Sequence, residues 1–320
     1  MTAVVALIAA ALALMAAGSR IPRSSASPVA GVALAGTSLM LRAALSLAAI
    51  AALIVIVPRT TVFADVTDWC LDQVFPLIGD QLDLSGHSLG DLALALPALG
   101  LAALVASALV GVRRAARGVH RWLRGNTIGR GPSGSFLVRA EGFVLAAAGF
   151  LRPRVVVSPG ALLLLDDQEL AAALRHERAH IRRGHRFAVL LGALAAACSR
   201  FLPGTRRAFA DLNFQLERDA DRVAVRGFGD SVILASAICK AALGSEDVPG
   251  SVAVSSISGA DVPARVRELL ADSVEPGTSA TRASAGLAAL SAAVSLLLFA
   301  ALVSLVWMGI AGAPAPVAFG

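Results

Sequence analysis

The chain contains no tyrosine, three cysteines and a single lysine, Lys240, in 320 residues, and only 16% of it is charged. Without tyrosine, no phenolic hydroxyl can serve as an acid or as a donor to a developing anion. Cys70, Cys198 and Cys239 form no C-x-x-C and leave one thiol over in any pairing, which supports neither a disulfide framework nor a cysteine metal site. The net charge of +6 comes with only 5% aromatic residues, so the aromatic-plus-basic surface of a nucleic-acid binder is missing and no direct nucleic-acid contact is expected.

Apolar residues are abundant, at 57% with a mean hydropathy of +0.74. A soluble domain averages roughly 45–50% apolar and about 25% charged, so composition predicts a protein of the lipid bilayer. Four stretches approach the roughly 20 apolar residues that a crossing needs: 1–17, 32–57, 92–112 and 285–310. The first is short and has no basic residue before it, which favours an uncleaved anchor over a signal peptide. Arg42 interrupts the second near its start and is expected to snorkel to the interface.

Loop charges set direction. Arg20 and Arg23 lie between the first two stretches, and Arg113, Arg114, Arg117, Arg121 and Arg124 follow the third. Between them, 58–91 carries Asp65, Asp68, Asp72, Asp80, Asp83 and Asp91 against Arg59 alone. The positive-inside bias therefore puts both chain ends and the acidic loop 58–91 outside, and 113–284 in the cytoplasm. The expected organisation is a multi-pass α-helical membrane protein with about four transmembrane helices. Residues 1–112 hold three of them, 113–284 form a mainly α cytoplasmic domain with a small β-sheet, and 285–320 hold the fourth and a short outer tail. A further apolar stretch, 187–202, has arginines on both flanks, which predicts a buried or membrane-resting helix.

The cytoplasmic domain carries the chemistry. Residues 154–158 are short and β-branched between Pro153 and Pro159, and predict a strand, with Val155, Val156 and Val157 at an edge. From Asp167 the apolar spacing becomes helical, with Asp166, Asp167 and Glu169 as acidic start signals. In "HERAH", His176 and His180 then lie four apart on one helix face, where two imidazoles can grip one zinc ion while Glu177 takes a proton from water. With five histidines in the chain, such a motif arises by accident in roughly two of a thousand shuffled sequences, so a bystander Arg-rich helix is the weaker explanation.

A catalytic zinc needs a third protein ligand. His185 is expected to face away by helical rotation, and His120 and His87 are distant. In "NFQLERDADRVAV", Glu217 could complete a His-His-Glu set for one Zn2+ per chain, and Asp221 could hold a ligand histidine by its other ring nitrogen. The competing explanation is a solvated charged face, with Arg218 and Arg222 as helical neighbours of the acids.

The strand "RPRVVVS", the "HERAH" helix and the later "ERDAD" resemble the gluzincin membrane metallopeptidases, and within them the BlaR/MecR-type antirepressor peptidases of family M56. The resemblance is close over about 150–226 and loose over the spans. It implies His176, His180 and Glu217 as zinc ligands, Glu177 as general base, Asp221 behind them, and substrate binding by strand addition at Val155–Val157. It further implies a bacterial cell membrane and a BlaI-like winged-helix repressor as protein substrate, whose cleavage releases antibiotic-resistance genes; a homodimer is compatible with it. Two departures stand out. Only "AGAPAPVAFG" follows the fourth stretch, so direct β-lactam sensing is not expected. With no tyrosine, His185, Arg218 and Arg222 are the candidates to stabilise the oxyanion, and the sequence does not choose among them. The alternatives are a quality-control protease of the HtpX/Ste24 kind, with the same zinc chemistry, and a non-proteolytic sensor or scaffold, which the intact Glu177 disfavours.

Overall fold

The structure, a computed structural model, describes residues 2–20, 27–56, 65, 69, 87–140, 142–228, 230–244, 261–271 and 278–311. Most of the acidic loop 58–91 and the tail after Ala311 lie outside the described residues. Helices α1 (Thr2–Arg20), α2 (Pro28–Ile56) and α3 (His87–Asn126) come first. Strands β1 (Thr127–Arg130), β2 (Phe136–Val138), β3 (Leu145–Ala148) and β4 (Arg154–Val157) follow. Then come α4 (Pro159–Leu164), α5 (Asp167–Arg182), α6 (His185–Cys198), α7 (Thr205–Phe228), α8 (Ser231–Gly244), α9 (Val262–Leu270) and α10 (Thr278–Ala311). The protein is mostly α-helical with a small mixed sheet, and at least two helices are membrane-spanning in length and composition, over Pro28–Ile50 and Thr281–Ala301.

The apolar helices pack side by side. Ser27 N–H donates to Thr281 Oγ1 at 3.2 Å, and further along Leu41 and Leu45 of α2 share a cluster with Val294 and Leu298 of α10, so these two helices run parallel. Ala11, Leu14 and Met15 of α1 complete that cluster. Arg42 does not snorkel. Its guanidinium is buried in the packing and donates to the Pro203 carbonyl, in the turn between α6 and α7. A charge within an apolar helix needs such a partner, because lipid offers none.

The sheet order is β1-β2-β4-β3, with β2 and β4 parallel and the other pairs antiparallel. This corrects the edge position expected for Val155, Val156 and Val157, since β4 is interior and the edges are β1 and β3. Pro153 and Pro159 flank β4 without entering it, so neither removes a ladder donor and neither confines the strand to an edge. Alternation does the rest: Val155 and Val157 face the core of α4, α5 and α8, while Val156 joins Val138, Ala146 and Ala148 under Val119, Trp122 and Leu123 of α3. The helix of the third apolar stretch thus continues past its arginines and seats the sheet.

Helix α5 starts where its acids predict. The Asp166 side chain accepts from the Gln168 and Glu169 N–H groups, and Glu169 Oε2 accepts in return from Asp166 N–H, forming a capping box. Glu169 also accepts from Ser236 Oγ at 2.6 Å and Lys240 Nζ at 2.7 Å, so the chain's only lysine ties α8 to the start of α5.

Candidate active site

Helix α5 presents His176, Glu177 and His180, and α7, packed against it, presents Glu217; all four are buried. His176 Nε2 and His180 Nε2 face each other at 3.1 Å. Glu217 Oε2 lies 3.4 Å from His176 Nε2, and Glu217 Oε1 lies 3.5 Å from His180 Nε2. Ligand atoms about 2.0–2.1 Å from one tetrahedral zinc stand roughly 3.3–3.4 Å apart, and the His–His and nearest His–carboxylate separations are of that size, with a different Glu217 oxygen nearest each histidine. Chemistry agrees with geometry, since two imidazole nitrogens and a carboxylate buried together are a donor set suited to zinc. The His176–His180–Glu217 cluster therefore fits one Zn2+ per chain and is consistent with a zinc metalloendopeptidase active site.

Glu177 stands between the cluster and the sheet. Its Oε2 accepts from the Ala147 N–H at 2.7 Å, on edge strand β3, while its buried Oε1 has no hydrogen-bond partner among the described residues. Burial pushes its pKa up to about 8, against the pull of His176 and of the Ala147 amide. Burial also drives His180 down to about 3, which keeps this imidazole neutral and able to donate a lone pair to a metal. At His176 burial works in the same direction, but the Asp221 and Glu217 carboxylates outweigh it and raise the value to about 9.

Both ligand histidines are held from behind. His176 Nδ1 lies 2.9 Å from Asp221 Oδ1. Asp221 is itself gripped by Arg265, with Nε to Oδ2 at 2.8 Å and Nη2 to Oδ1 at 2.7 Å, and Arg265 Nη1 sits 2.9 Å from Glu217 Oε2. Burial raises Asp221, but Arg265 and His176 prevail and hold it well below the usual carboxylate range.

His180 has a support that helical rotation conceals. Gly184 adopts φ +68°, ends the α5 turn and starts α6 in a new direction, so His185 swings back toward the cluster instead of facing away. His185 Nδ1 meets His180 Nδ1 at 2.9 Å, and His185 Nε2 meets Asp219 Oδ2 at 3.1 Å. Arg183 closes the chain on Asp219 with two bonds of 2.8 and 3.0 Å. Both ring nitrogens of His185 are thereby engaged behind the ligand. Arg218 is occupied by Glu268 and by Gln215, the latter at 2.8 Å, and Arg222 is half-buried further along α7. Arg265 and Ala147 carry no local sequence signal: each meets its partner only through tertiary packing, across 44 residues for Asp221 and 30 for Glu177.

A family model described as Peptidase family M48 matches residues 143–215. No curated protein and no solved structure matches. The matched span runs from β3 into α7 and includes "HERAH", but stops two residues before Glu217, so the third ligand rests on geometry. This match overturns the resemblance to the BlaR/MecR antirepressor peptidases of family M56, and with it the basis for a BlaI-like repressor substrate and a link to antibiotic resistance. The motif pair could not distinguish the two, because any His-His-Glu zinc site built on two helices calls for the same spacings. The match and the cluster together make the protein a membrane-associated zinc metalloendopeptidase whose catalytic segment is similar to peptidase family M48, of the HtpX/Ste24-like kind.

Proposed function

We propose that the protein hydrolyses peptide bonds of polypeptides at the cytoplasmic face of a bacterial cell membrane, in a quality-control or processing role. The observation that carries this is Glu177, buried beside the His-His-Glu cluster with one oxygen tied to the edge strand and the other without a partner among the described residues. When held by His176, His180 and Glu217, zinc supplies a Lewis acid that polarises a carbonyl and acidifies water. Glu177 Oε1 accepts the proton of the attacking water and passes it to the departing amine. The Ala147 amide keeps that carboxylate aimed, and His185 and Asp221 hold the two imidazoles in the tautomers that present Nε2.

The substrate strand is assigned to β3, the edge beside Glu177, in place of β4. The cytoplasmic side rests on the arginines that follow α1 and run through the second half of α3.

Purified protein in detergent or nanodiscs is expected to hold one zinc and to cleave an unfolded protein substrate. Glu177→Gln should keep the zinc and lose cleavage by at least about 100-fold. Glu217→Ala should lose the zinc. Undiminished proteolysis in Glu177→Gln, or full metal occupancy in Glu217→Ala, would overturn the assignment.

A further inference from the structure

Helices α6 and α7 form a hairpin whose turn, 199–204, reaches the middle of α2. Four contacts fix this. Gln215 of α7 fills the space beside Gly31, and the turn at Gly204 meets Arg42, so α7 runs antiparallel along α2 from one site to the other. The Pro203 carbonyl accepts from Arg42. Leu202, half-buried, packs against the cluster that holds Met15, Leu41, Leu45, Val294 and Leu298 of the apolar helices. The turn is therefore level with residues that lie within the membrane helices α2 and α10.

The side of the turn that faces away from the bundle is distinctive. Phe201 is 79% exposed, and Leu191 on the outer face of α6 is 54% exposed. Arg200, Arg206 and Arg207 are exposed around them, with the Arg200 guanidinium stacked 4.7 Å over the Phe201 ring. On α1, Gly18 packs on Leu34 while Met15 reaches the Leu41 level, so Arg20 marks a height about 7 Å on the cytoplasmic side of Met15 at 1.5 Å per residue. An exposed aromatic ring with three exposed arginines within six residues of it in the chain matches the composition of a bilayer interface, where acyl chains meet anionic phosphate.

We propose that the α6–α7 turn is a foot that dips into the leaflet from which α2 and α10 start, with the lipid boundary near the Arg42 level of α2 and not at Pro28, which places Phe201 among the upper acyl carbons and Arg200, Arg206 and Arg207 on phosphate groups of anionic lipid. The twelve helical steps from Thr205 to Glu217 then hold the zinc cluster about 18 Å from the foot. The active site is a fixed distance above lipid, anchored through the same helix that supplies its third ligand.

Phe201→Cys is placed in a chain whose Cys70, Cys198 and Cys239 are replaced by serine, labelled with an environment-sensitive fluorophore, and set in nanodiscs of phosphatidylglycerol and phosphatidylcholine. Ile128→Cys, exposed on β1 at the far end of α3, is the aqueous control. The label at 201 should emit at shorter wavelength than at 128. It should also be quenched more by spin labels high on the acyl chain than by those near its end, and be little quenched by iodide. Water-like emission with iodide quenching would overturn the proposal. So would shifted emission that lipid spin labels leave unchanged, which would mean that protein, such as a second copy of the chain, covers the turn. If the cysteine replacements fail to hold zinc, Phe201→Trp in the otherwise unchanged protein reads the same depth as extra quenching by brominated lipid over the wild-type signal.

Discussion

Replacing Arg265 by methionine tests the electrostatic frame behind the zinc cluster. Its guanidinium is buried, binds both oxygens of Asp221 and lies 2.9 Å from Glu217 Oε2, so methionine preserves much of the volume while leaving two buried carboxylates without their cation. Removing one partner of a buried pair costs about 3–5 kcal/mol. At roughly 2–4 °C per kcal/mol for a domain of this size, Tm should fall by about 6–20 °C near neutral pH. The sign of the pH dependence follows from Asp221. Arg265 holds its carboxyl below the ordinary range in the folded protein, so this stabilisation is complete above the unfolded value near 4 and is lost as pH falls through the lower folded value. In the variant that carboxyl can protonate more readily, and the Tm gap from the wild type should narrow as the pH approaches 4. Differential scanning fluorimetry in detergent across pH 4–8, with chelator present throughout, measures both effects. A gap of less than about 3 °C at pH 7, or one that does not change with pH, would refute the reasoning.

Three further outcomes are expected. His185→Ala should weaken zinc binding by about 10–100-fold in a competition titration with a chromophoric chelator, with cleavage restored by excess zinc, because His180 loses the partner on its Nδ1. Gly160→Ala should lower stability by about 1–3 kcal/mol, since its Cβ would stand 2.4 Å from the Gly142 carbonyl oxygen; thermal unfolding reads this. Gly31→Ala meets only the Gln215 side chain, which can move, and should cost less in the same assay.

Much of the site was legible because its signals are local. Asp166 and Glu169 announce the start of α5, and a helix of 3.6 residues per turn places His176 and His180 on one face whatever surrounds it. Glu217 and Asp221 likewise share a face of α7, and the structure places them against His176. The expected position of His185 was wrong because one glycine at positive φ redirects the chain, and no periodicity survives such a turn. Arg42 was expected at the interface because a sequence shows its apolar neighbours but not the Pro203 carbonyl that meets it from 161 residues away.

By itself the sequence determined composition, the apolar helices and the two helices bearing metal ligands, since each depends on residues within a few turns of one another. Which strand forms the edge beside Glu177, what stands behind His180, and where the α6–α7 turn rests were decided only by the tertiary structure. The Ala147–Glu177, Asp221–Arg265 and Arg218–Glu268 contacts join residues 30, 44 and 50 positions apart, and the sheet inserts β4 between β2 and β3; both are selected by packing and desolvation after the local elements exist.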